Sequence, residues 1–198
     1  MFSGIVEEVG TIRSIDSLAK SRKMTVACKK VLDGVSIGDS IAVNGVCLTV
    51  TNIIDSEFDV DIVNETLERS NLSDISEGSV INLERAMKYN QRVSGHLVQG
   101  HVDTQAKVVS INRTTEWTEI DFELSLDYKK YCIPKGSIAI DGVSLTIAKI
   151  TSNGIRVALI PHTLSSTILS DYKINQHVNI ETDMVGKFIE SFSGVNSK

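Results

Sequence analysis

The stretch 38-GDSIAVNGVCLTV-50 determines how the rest of the sequence is interpreted. Asn44-Gly45 between two alternating runs predicts a β-hairpin, because both residues of such a turn must take positive φ. Period-2 alternation then puts the valine and leucine side chains that follow the turn on one face, with Cys47 and Thr49 on the other. A thiol and a hydroxyl are therefore expected to point the same way.

The hairpin is repeated 97 residues further along the chain. Ser40–Thr49 (SIAVNGVCLT) aligns with Ser137–Thr146 (SIAIDGVSLT) at seven identical positions out of ten, and Asp-Gly keeps the turn. Three more segments align in order within one residue of this shift: 4–15 with 100–111, 58–67 with 155–164, and 81–84 with 178–181. The sequence therefore predicts two homologous halves.

Each half is expected to form five or six short strands, which is typical of a small all-β barrel or sandwich. A short helix is expected after Asn64, with Pro161 at the equivalent corner of the second half. The strands predicted in the first half are 4–15, 23–29, 40–43, 46–53, 57–63 and 79–85.

The tail forms an amphipathic helix in this interpretation, with Asp183 as its N-cap. Its apolar stripe either contacts another subunit or packs on its own barrel, and the sequence leaves both open. The stripe consists of Val185, Phe188, Ile189 and Phe192.

Composition excludes several classes of protein. The 198 residues carry a net charge of −5 without a Lys/Arg cluster, which argues against a nucleic-acid-binding surface. No apolar run approaches the roughly 18 residues that a membrane-spanning helix needs. Three cysteines without CxxC spacing, after a start that lacks the features of a signal peptide, predict reduced thiols in the cytoplasm.

The residues with reactive side chains have alternative interpretations. Cys47 and Ser144, each two residues before a threonine, either line a ligand pocket in each half or lie on an outer barrel face. His96 and His101 are five residues apart, on opposite faces of a strand, which disfavours a metal site. His162 and Lys135 are either ligand contacts or solvated, and Asp141 is explained as a turn residue.

The motifs MFSGIVEEVG, NGVCLTV with DGVSLTI, 84-ERAM-87, 95-GHLVQGHVD-103, 160-IPHTL-164 and 178-VNIETDM-184 together resemble the riboflavin synthase family, α-subunit type. The resemblance extends from Met1 to about Lys187. It implies two six-stranded antiparallel Greek-key barrels and a short C-terminal α-helix, with boundaries at 1–96, 97–184 and 185–198. It further implies a homotrimer and no cofactor or metal.

The resemblance also implies a reaction. Two molecules of 6,7-dimethyl-8-ribityllumazine dismutate to riboflavin and 5-amino-6-ribitylamino-uracil by transfer of four carbons. Two identical substrates require two similar pockets, which gives the duplication a chemical reason. In the family, a working site forms between the N-terminal barrel of one subunit and the C-terminal barrel of another, and orientation of the two flat rings supplies much of the rate.

Site residues carried over from the family form two pockets. The first is expected to use Gly4, Ile5, Val6, Cys47, Leu48, Thr49, Asp61, Ile62, Val63, Asn64, Glu65 and Thr66. The second is expected to use Gly100, His101, Val102, Lys135, Ser144, Leu145, Thr146, Ile160, Pro161, His162, Thr163, Leu164 and Ser165. The residues expected to carry the chemistry are Cys47, Ser144, Thr146 and His101, with Asp141, Asp183 and Phe2 as helpers near the subunit junction.

Two alternatives share the fold, and two positions depart from the family pattern. A lumazine or flavin carrier would bind the chromophore without converting it. A flavin-binding barrel of an oxidoreductase ranks lower, since the chain lacks GxGxxG and a nucleotide domain. Ser94 stands where the family usually has glycine, and Thr104-Gln105-Ala106 replaces a glycine-bearing turn after His101-Val102-Asp103.

Overall fold

The repeated hairpin forms in both halves of the protein. In the computed structural model, which describes residues 1–17 and 21–194, Asn44 and Gly45 have φ angles of 46° and 79°. Asp141 and Gly142 in the equivalent turn have φ angles of 43° and 78°. Ser40 pairs with Thr49 and Ser137 pairs with Thr146 in matching registers, as predicted.

Twelve strands follow in two sets of six. In the first half they are β1 (Glu8–Ser17), β2 (Ser21–Ala27), β3 (Ser40–Val43), β4 (Val46–Ile54), β5 (Glu57–Val63) and β6 (Val80–Arg85). In the second half they are β7 (Thr104–Arg113), β8 (Thr118–Glu123), β9 (Ser137–Ile140), β10 (Val143–Ile150), β11 (Gly154–Leu159) and β12 (His177–Thr182).

Each set closes into an antiparallel barrel. The strand order is β1-β2-β5-β4-β3-β6 in the first barrel, and β7-β8-β11-β10-β9-β12 repeats it in the second. Three hairpin-connected strands, β3 to β5, lie beside β6, which is the Greek-key arrangement. Closure removes the open sheet edges that would otherwise pair with other chains. The prediction of two homologous six-stranded barrels is confirmed.

Helices are few and short. They are α1 (Asn64–Arg69), α2 (Leu126–Lys129), α3 (Pro161–Ser166) and α4 (Met184–Ser193), with 3₁₀ turns at Lys30–Leu32, Asn71–Ser73 and Ile168–Asp171. The helix expected after Asn64 is confirmed as α1, and α3 occupies the equivalent corner. Asp183 caps α4 by accepting a hydrogen bond from Val185 N at 3.0 Å, as predicted. Within the described ranges, no helix is long and apolar enough to span a membrane.

The first strand is shorter at its start than the sequence predicted. It was expected to begin at residue 4 and begins at Glu8. Gly4 has a φ of 75°, which breaks the extended conformation, and the chain before Glu8 runs across to the second barrel. The cause is a tertiary contact that the alternation of side chains does not reveal.

The two hairpin turns meet where the barrels join. A Cβ atom built on Gly45 would lie 2.6 Å from Gly142 N, and one built on Gly142 would lie 2.7 Å from Gly45 N. Asn82 and Asn179 are paired by the repeat, and each donates through Nδ2 to the opposite turn, at Asp141 O and Asn44 O. The turn residues therefore do more than reverse the chain, because they form the centre of the barrel–barrel junction.

Gly142→Ala is expected to lower the free energy of unfolding by about 3 kcal/mol, since it combines a steric clash with positive φ. Gly34→Ala is the matched control. Gly34 has a similar φ of +72° but no described atom within 4 Å of its Cβ position. Gly34→Ala should lower the free energy of unfolding by only about 1 kcal/mol. Urea unfolding of both variants measures the difference, and equal losses would contradict the close approach of the turns.

Candidate active site

Two glycine-bearing segments lie side by side between the barrels. We call residues 2–5 the first lead segment and residues 98–101 the second lead segment, since each precedes the first strand of its barrel. Phe2 N donates to Val98 O at 2.7 Å, and Val98 N donates to Phe2 O at 3.0 Å. The two lead segments are thus paired with each other across the junction.

Each lead segment lies against the hairpin of the opposite barrel. Ser144 N donates to Gly4 O at 2.7 Å, and Cys47 N donates to Gly100 O at 2.8 Å. A Cβ atom on Gly4 would lie 2.6 Å from Ser144 Cβ, and one on Gly100 would lie 2.6 Å from Cys47 Cβ. Glycine is therefore required at both positions by close approach as well as by positive φ.

This crossing corrects the predicted composition of the two pockets. The sequence placed Gly4, Ile5 and Val6 with Cys47, and it placed Gly100, His101 and Val102 with Ser144. In the structure Val6 packs on the core of the second barrel and Val102 packs on the core of the first. The prediction assumed that each lead segment contacts its own barrel. The alignment of the repeat is the same whichever barrel a lead segment contacts, so it could not reveal the crossing.

The Ser144 side of the junction carries an imidazole. His96 Nδ1 lies 2.7 Å from Ser144 Oγ, and His96 N donates to Ser3 O at 3.1 Å. His96 Nε2 is buried and has no partner among the described residues. Burial lowers the pKa of His96, and the nearby Asp183 carboxylate opposes part of that lowering. A mostly neutral imidazole can therefore accept the hydroxyl proton of Ser144.

The Cys47 side of the junction is apolar. Cys47 packs against a small buried cluster formed by Phe2, Ala42, Val98 and Ala139. Cys47 and Ser144 are aligned by the repeat and differ in side-chain chemistry, and they therefore also differ in their surroundings. One lies among hydrophobic side chains and the other forms a hydrogen bond to histidine.

Exposed apolar side chains flank both hairpins at equivalent positions. Val63 at the end of β5 and Ile160 just after β11 are each 58% exposed. Val50 pairs with Val60 and Ile147 pairs with Val157. In these antiparallel registers Val63 lies beside the Cys47 end of β4, and Ile160 lies beside the Ser144 end of β10. An exposed apolar side chain beside each hairpin can contact the face of a planar heterocycle.

The other predicted site residues differ in accessibility. Buried residues are Phe2, Gly4, Leu48, Ile62, Gly100 and Asp141. Partly buried residues are Val6, Cys47, Thr66, Val102, Ser144, Leu145, Thr163, Leu164 and Asp183. Exposed residues are Ile5, Thr49, Asp61, Val63, Asn64, Glu65, His101, Lys135, Thr146, Ile160, Pro161, His162 and Ser165.

Two expected helpers lie at the junction between the two barrels. Asp141 and Phe2 are both 0% exposed there, and their place near a subunit junction stays a prediction. Asp141 accepts hydrogen bonds from Asn179 N at 2.7 Å, Asn71 Nδ2 at 2.9 Å and Tyr172 Oη at 2.6 Å. Its assignment as only a turn residue was incomplete.

Sequence reasoning missed three residues at the site. His96 was considered only as a metal ligand, and Glu84 and Glu181 served only to align the repeat and to support the family resemblance. Both glutamates are buried and bind the lead segments. The available signal was that a carboxylate recurs at the same register of the two last strands, next to valine, isoleucine and leucine residues of the core, where burial requires a partner.

Within residues 1–17 and 21–194, no three His, Cys, Asp or Glu side chains are grouped so that they could hold a metal ion.

The apolar stripe of α4 is exposed rather than packed on its own barrel. Val185, Phe188, Ile189 and Phe192 are all exposed, and the two phenylalanine rings stack with centroids 6.3 Å apart. The opposite side of the helix is fixed to the second barrel, where Glu190 accepts hydrogen bonds from Lys130 and Tyr131. Of the two interpretations of the stripe, packing on its own barrel is therefore wrong.

Comparison with known proteins identifies the repeated unit. The lumazine binding domain family matches residues 3–86 and again residues 99–183. A riboflavin synthase of Bacillus subtilis (strain 168) is 45% identical over 192 residues, which cover 97% of this chain and 89% of that protein. A riboflavin synthase of Mycobacterium bovis is 40% identical over 194 residues, with 96% of each chain covered.

Solved structures agree in fold. LumP complexed with 6,7-dimethyl-8-(1'-D-ribityl) lumazine superposes with a TM-score of 0.84 at 24% identity, covering 92% of this chain and 99% of that chain. LumP complexed with riboflavin gives a TM-score of 0.86 at the same identity and coverage. With two matched lumazine binding domains and full-length relatives above 38% identity, the chain belongs to the riboflavin synthase family.

Proposed function

We propose that this protein is a riboflavin synthase that converts two molecules of 6,7-dimethyl-8-ribityllumazine into riboflavin and 5-amino-6-ribitylamino-uracil. The observation that carries the proposal is the pair of matched sites with unequal chemistry. Cys47 and Ser144 have the same backbone contact, since each N–H donates to a glycine carbonyl of the lead segment that precedes the other barrel. Of the two, only Ser144 has an imidazole partner. A dismutation needs two sites that bind the same molecule and treat it differently.

The Ser144 site is the proposed proton-abstraction site. The 7-methyl group of the lumazine is acidic because its carbanion delocalises into the ring system. Ser144 Oγ takes a methyl proton while it passes its own proton to His96 Nδ1, 2.7 Å away. The resulting imidazolium is favoured by the nearby Asp183 carboxylate, which raises the pKa of His96 against the effect of burial.

The Cys47 site is proposed to hold the second lumazine, which is attacked by the carbanion of the first. Its apolar surroundings bind and orient the flat ring, and the exposed Val63 provides one wall. Exposed polar side chains at the ends of the sites, Asp61 and Lys135 among them, are placed to meet ribityl hydroxyls. His101 and Thr146 are both exposed and remain candidates for proton transfer between the bound rings.

The exposed stripe of α4 supports assembly. A short helix with four exposed apolar side chains is a natural subunit contact, and we propose the homotrimer implied by the family. Such assembly would bring the Cys47 site of one subunit to the Ser144 site of another. We also propose a cytoplasmic location, and domain boundaries at 1–96, 97–184 and 185–198.

Incubation of the purified protein with 6,7-dimethyl-8-ribityllumazine tests the function directly. Riboflavin formation is expected and is detected by absorbance and fluorescence. One 5-amino-6-ribitylamino-uracil should form for each riboflavin. Light scattering of the same sample measures the assembly state, which should be trimeric. Tight lumazine binding without riboflavin at any protein concentration would overturn the proposal and indicate a carrier.

A further inference from the structure

Two buried glutamates occupy equivalent positions at the ends of the last strands of the two barrels. Glu84 on β6 is 5% exposed and Glu181 on β12 is 4% exposed. Burial raises the pKa of both carboxyl groups, and hydrogen bonds from backbone N–H groups of the lead segments oppose that rise. Backbone donors therefore provide the main compensation for the burial of each carboxylate, and the charge of Lys187 adds to it for Glu181.

Each carboxylate binds one lead segment through successive N–H groups. Glu84 accepts from Ser3 N at 2.7 Å, Ser3 Oγ at 2.8 Å and Gly4 N at 3.0 Å. Glu181 accepts from Gln99 N at 2.6 Å, Gly100 N at 2.9 Å and His101 N at 3.0 Å. Converging N–H groups next to a glycine with positive φ form a concave anion site, which an internal carboxylate fills here.

The lead segments transmit this anchoring to the opposite barrel. Glu84 belongs to the first barrel, yet the segment that it holds presents Gly4 O to Ser144 N and Ser3 O to His96 N. Glu181 belongs to the second barrel, yet its segment presents Gly100 O to Cys47 N. A displaced lead segment would therefore alter the site of the barrel that does not contain the glutamate.

We propose that Glu84 and Glu181 are positioning residues that act crosswise, Glu84 on the Ser144–His96 pair and Glu181 on the surroundings of Cys47. Each sets the position of a lead segment whose glycine lies in close contact with the opposite hairpin. The kinetic consequence rests on the proposed function, but the crossed geometry does not. Each barrel thus controls the site of the other.

The test uses Glu84→Gln and Glu181→Gln in the full-length protein. The amide nitrogen cannot accept a hydrogen bond, so each variant loses contacts to one lead segment while it keeps the side-chain shape. One readout is the rate of Cys47 alkylation by iodoacetamide, mapped by peptide mass, with the buried Cys28 and Cys132 as internal references. The other is the titration of His96 followed by NMR.

Glu181→Gln is expected to change the Cys47 alkylation rate by at least about fivefold and leave the His96 titration near its wild-type value. Glu84→Gln is expected to shift the His96 titration and change the Cys47 rate several-fold less. Effects confined to the same barrel, equal effects on both readouts, or no effect would each overturn the proposal. Neither readout requires turnover, so the outcome is separate from that of the riboflavin assay.

Glu84→Asp and Glu181→Asp cover the case in which a glutamine variant does not fold. Aspartate keeps the charge but withdraws the carboxylate by one methylene, so the same crossed pattern is expected with smaller amplitude. In an active protein, each glutamine variant should lower kcat more than it raises KM, because geometry rather than contact area is lost. A purely structural role would instead lower thermal stability and leave both readouts unchanged.

Discussion

Asp141→Ala is expected to lower the free energy of unfolding by at least about 4 kcal/mol, because it leaves three buried hydrogen-bond donors without an acceptor. Asn179 N, Asn71 Nδ2 and Tyr172 Oη all donate to the Asp141 carboxyl group, which is fully buried. Alanine offers them no acceptor and leaves a small cavity at the barrel junction. Urea unfolding at pH 5 measures the loss, and a change under about 1 kcal/mol would contradict the network.

Asp141→Asn is the matched variant that should remain folded. The equivalent residue in the first barrel is already asparagine, and Asn44 Oδ1 accepts from Asn82 N at 2.8 Å. Asparagine at position 141 would accept from Asn179 N in the same way, and its Nδ2 would donate to Tyr172 Oη. Similar losses for the alanine and asparagine variants would contradict this hydrogen-bond assignment.

The pH dependence separates the wild type from Asp141→Asn. Burial raises the pKa of Asp141 from 3.8 to about 7. Between pH 4 and 7 the unfolded chain has lost this proton while the folded protein keeps it, so wild-type stability falls as the pH rises through that window. Between pH 5 and pH 8 the fall attributable to Asp141 is about 2.7 kcal/mol, and it should be absent in the asparagine variant. Unfolding at pH 5 and pH 8 measures it.

Ser144→Ala is expected to reduce kcat for riboflavin formation by about 100-fold, because it removes the hydroxyl that we propose transfers the methyl proton to His96. Cys47→Ala at the equivalent position is the matched control, and its loss should stay under about tenfold because no imidazole is disconnected. Steady-state fluorescence assays measure both. Wild-type turnover in Ser144→Ala would remove Ser144 from the reaction.

His96 should act as one unit with Ser144. The double variant Ser144→Ala/His96→Gln is expected to be no slower than either single variant, since each already breaks the same relay. Burial lowers the pKa of His96, so the neutral base persists to lower pH and the acid limb of kcat/KM should lie below the usual histidine range. Additive losses in the double variant would show that the two residues act separately.

Much of the fold could be predicted from the sequence because its signals are local. Asn44-Gly45 and Asp141-Gly142 specify hairpins through φ alone, and side-chain alternation placed Leu48 in the core and Cys47 outside it. The repeat then extended these predictions to the second barrel. The largest boundary error, at residues 4–7, arose where the other barrel intervened, whereas the end of β1 and both ends of β2 differ from the prediction by two residues.

The site was less predictable, since its contacts join residues far apart in the chain. Gly4 and Ser144 are matched by the repeat to Gly100 and Cys47, and an alignment cannot say which glycine lies on which hairpin. The role of His96 depends on its 2.7 Å approach to Ser144, across a separation of 48 residues. Burial of Asp141 was hidden because a turn usually lies at the surface.

The crossed lead segments also constrain how the chain matures during synthesis. Ser144 leaves the ribosome 140 residues after its partner Gly4 (144 − 4). At ordinary elongation rates that interval lasts roughly 7 to 28 seconds. During that interval the first lead segment has no second-barrel hairpin to contact, so this part of the junction between the barrels forms only after the second hairpin has been synthesised.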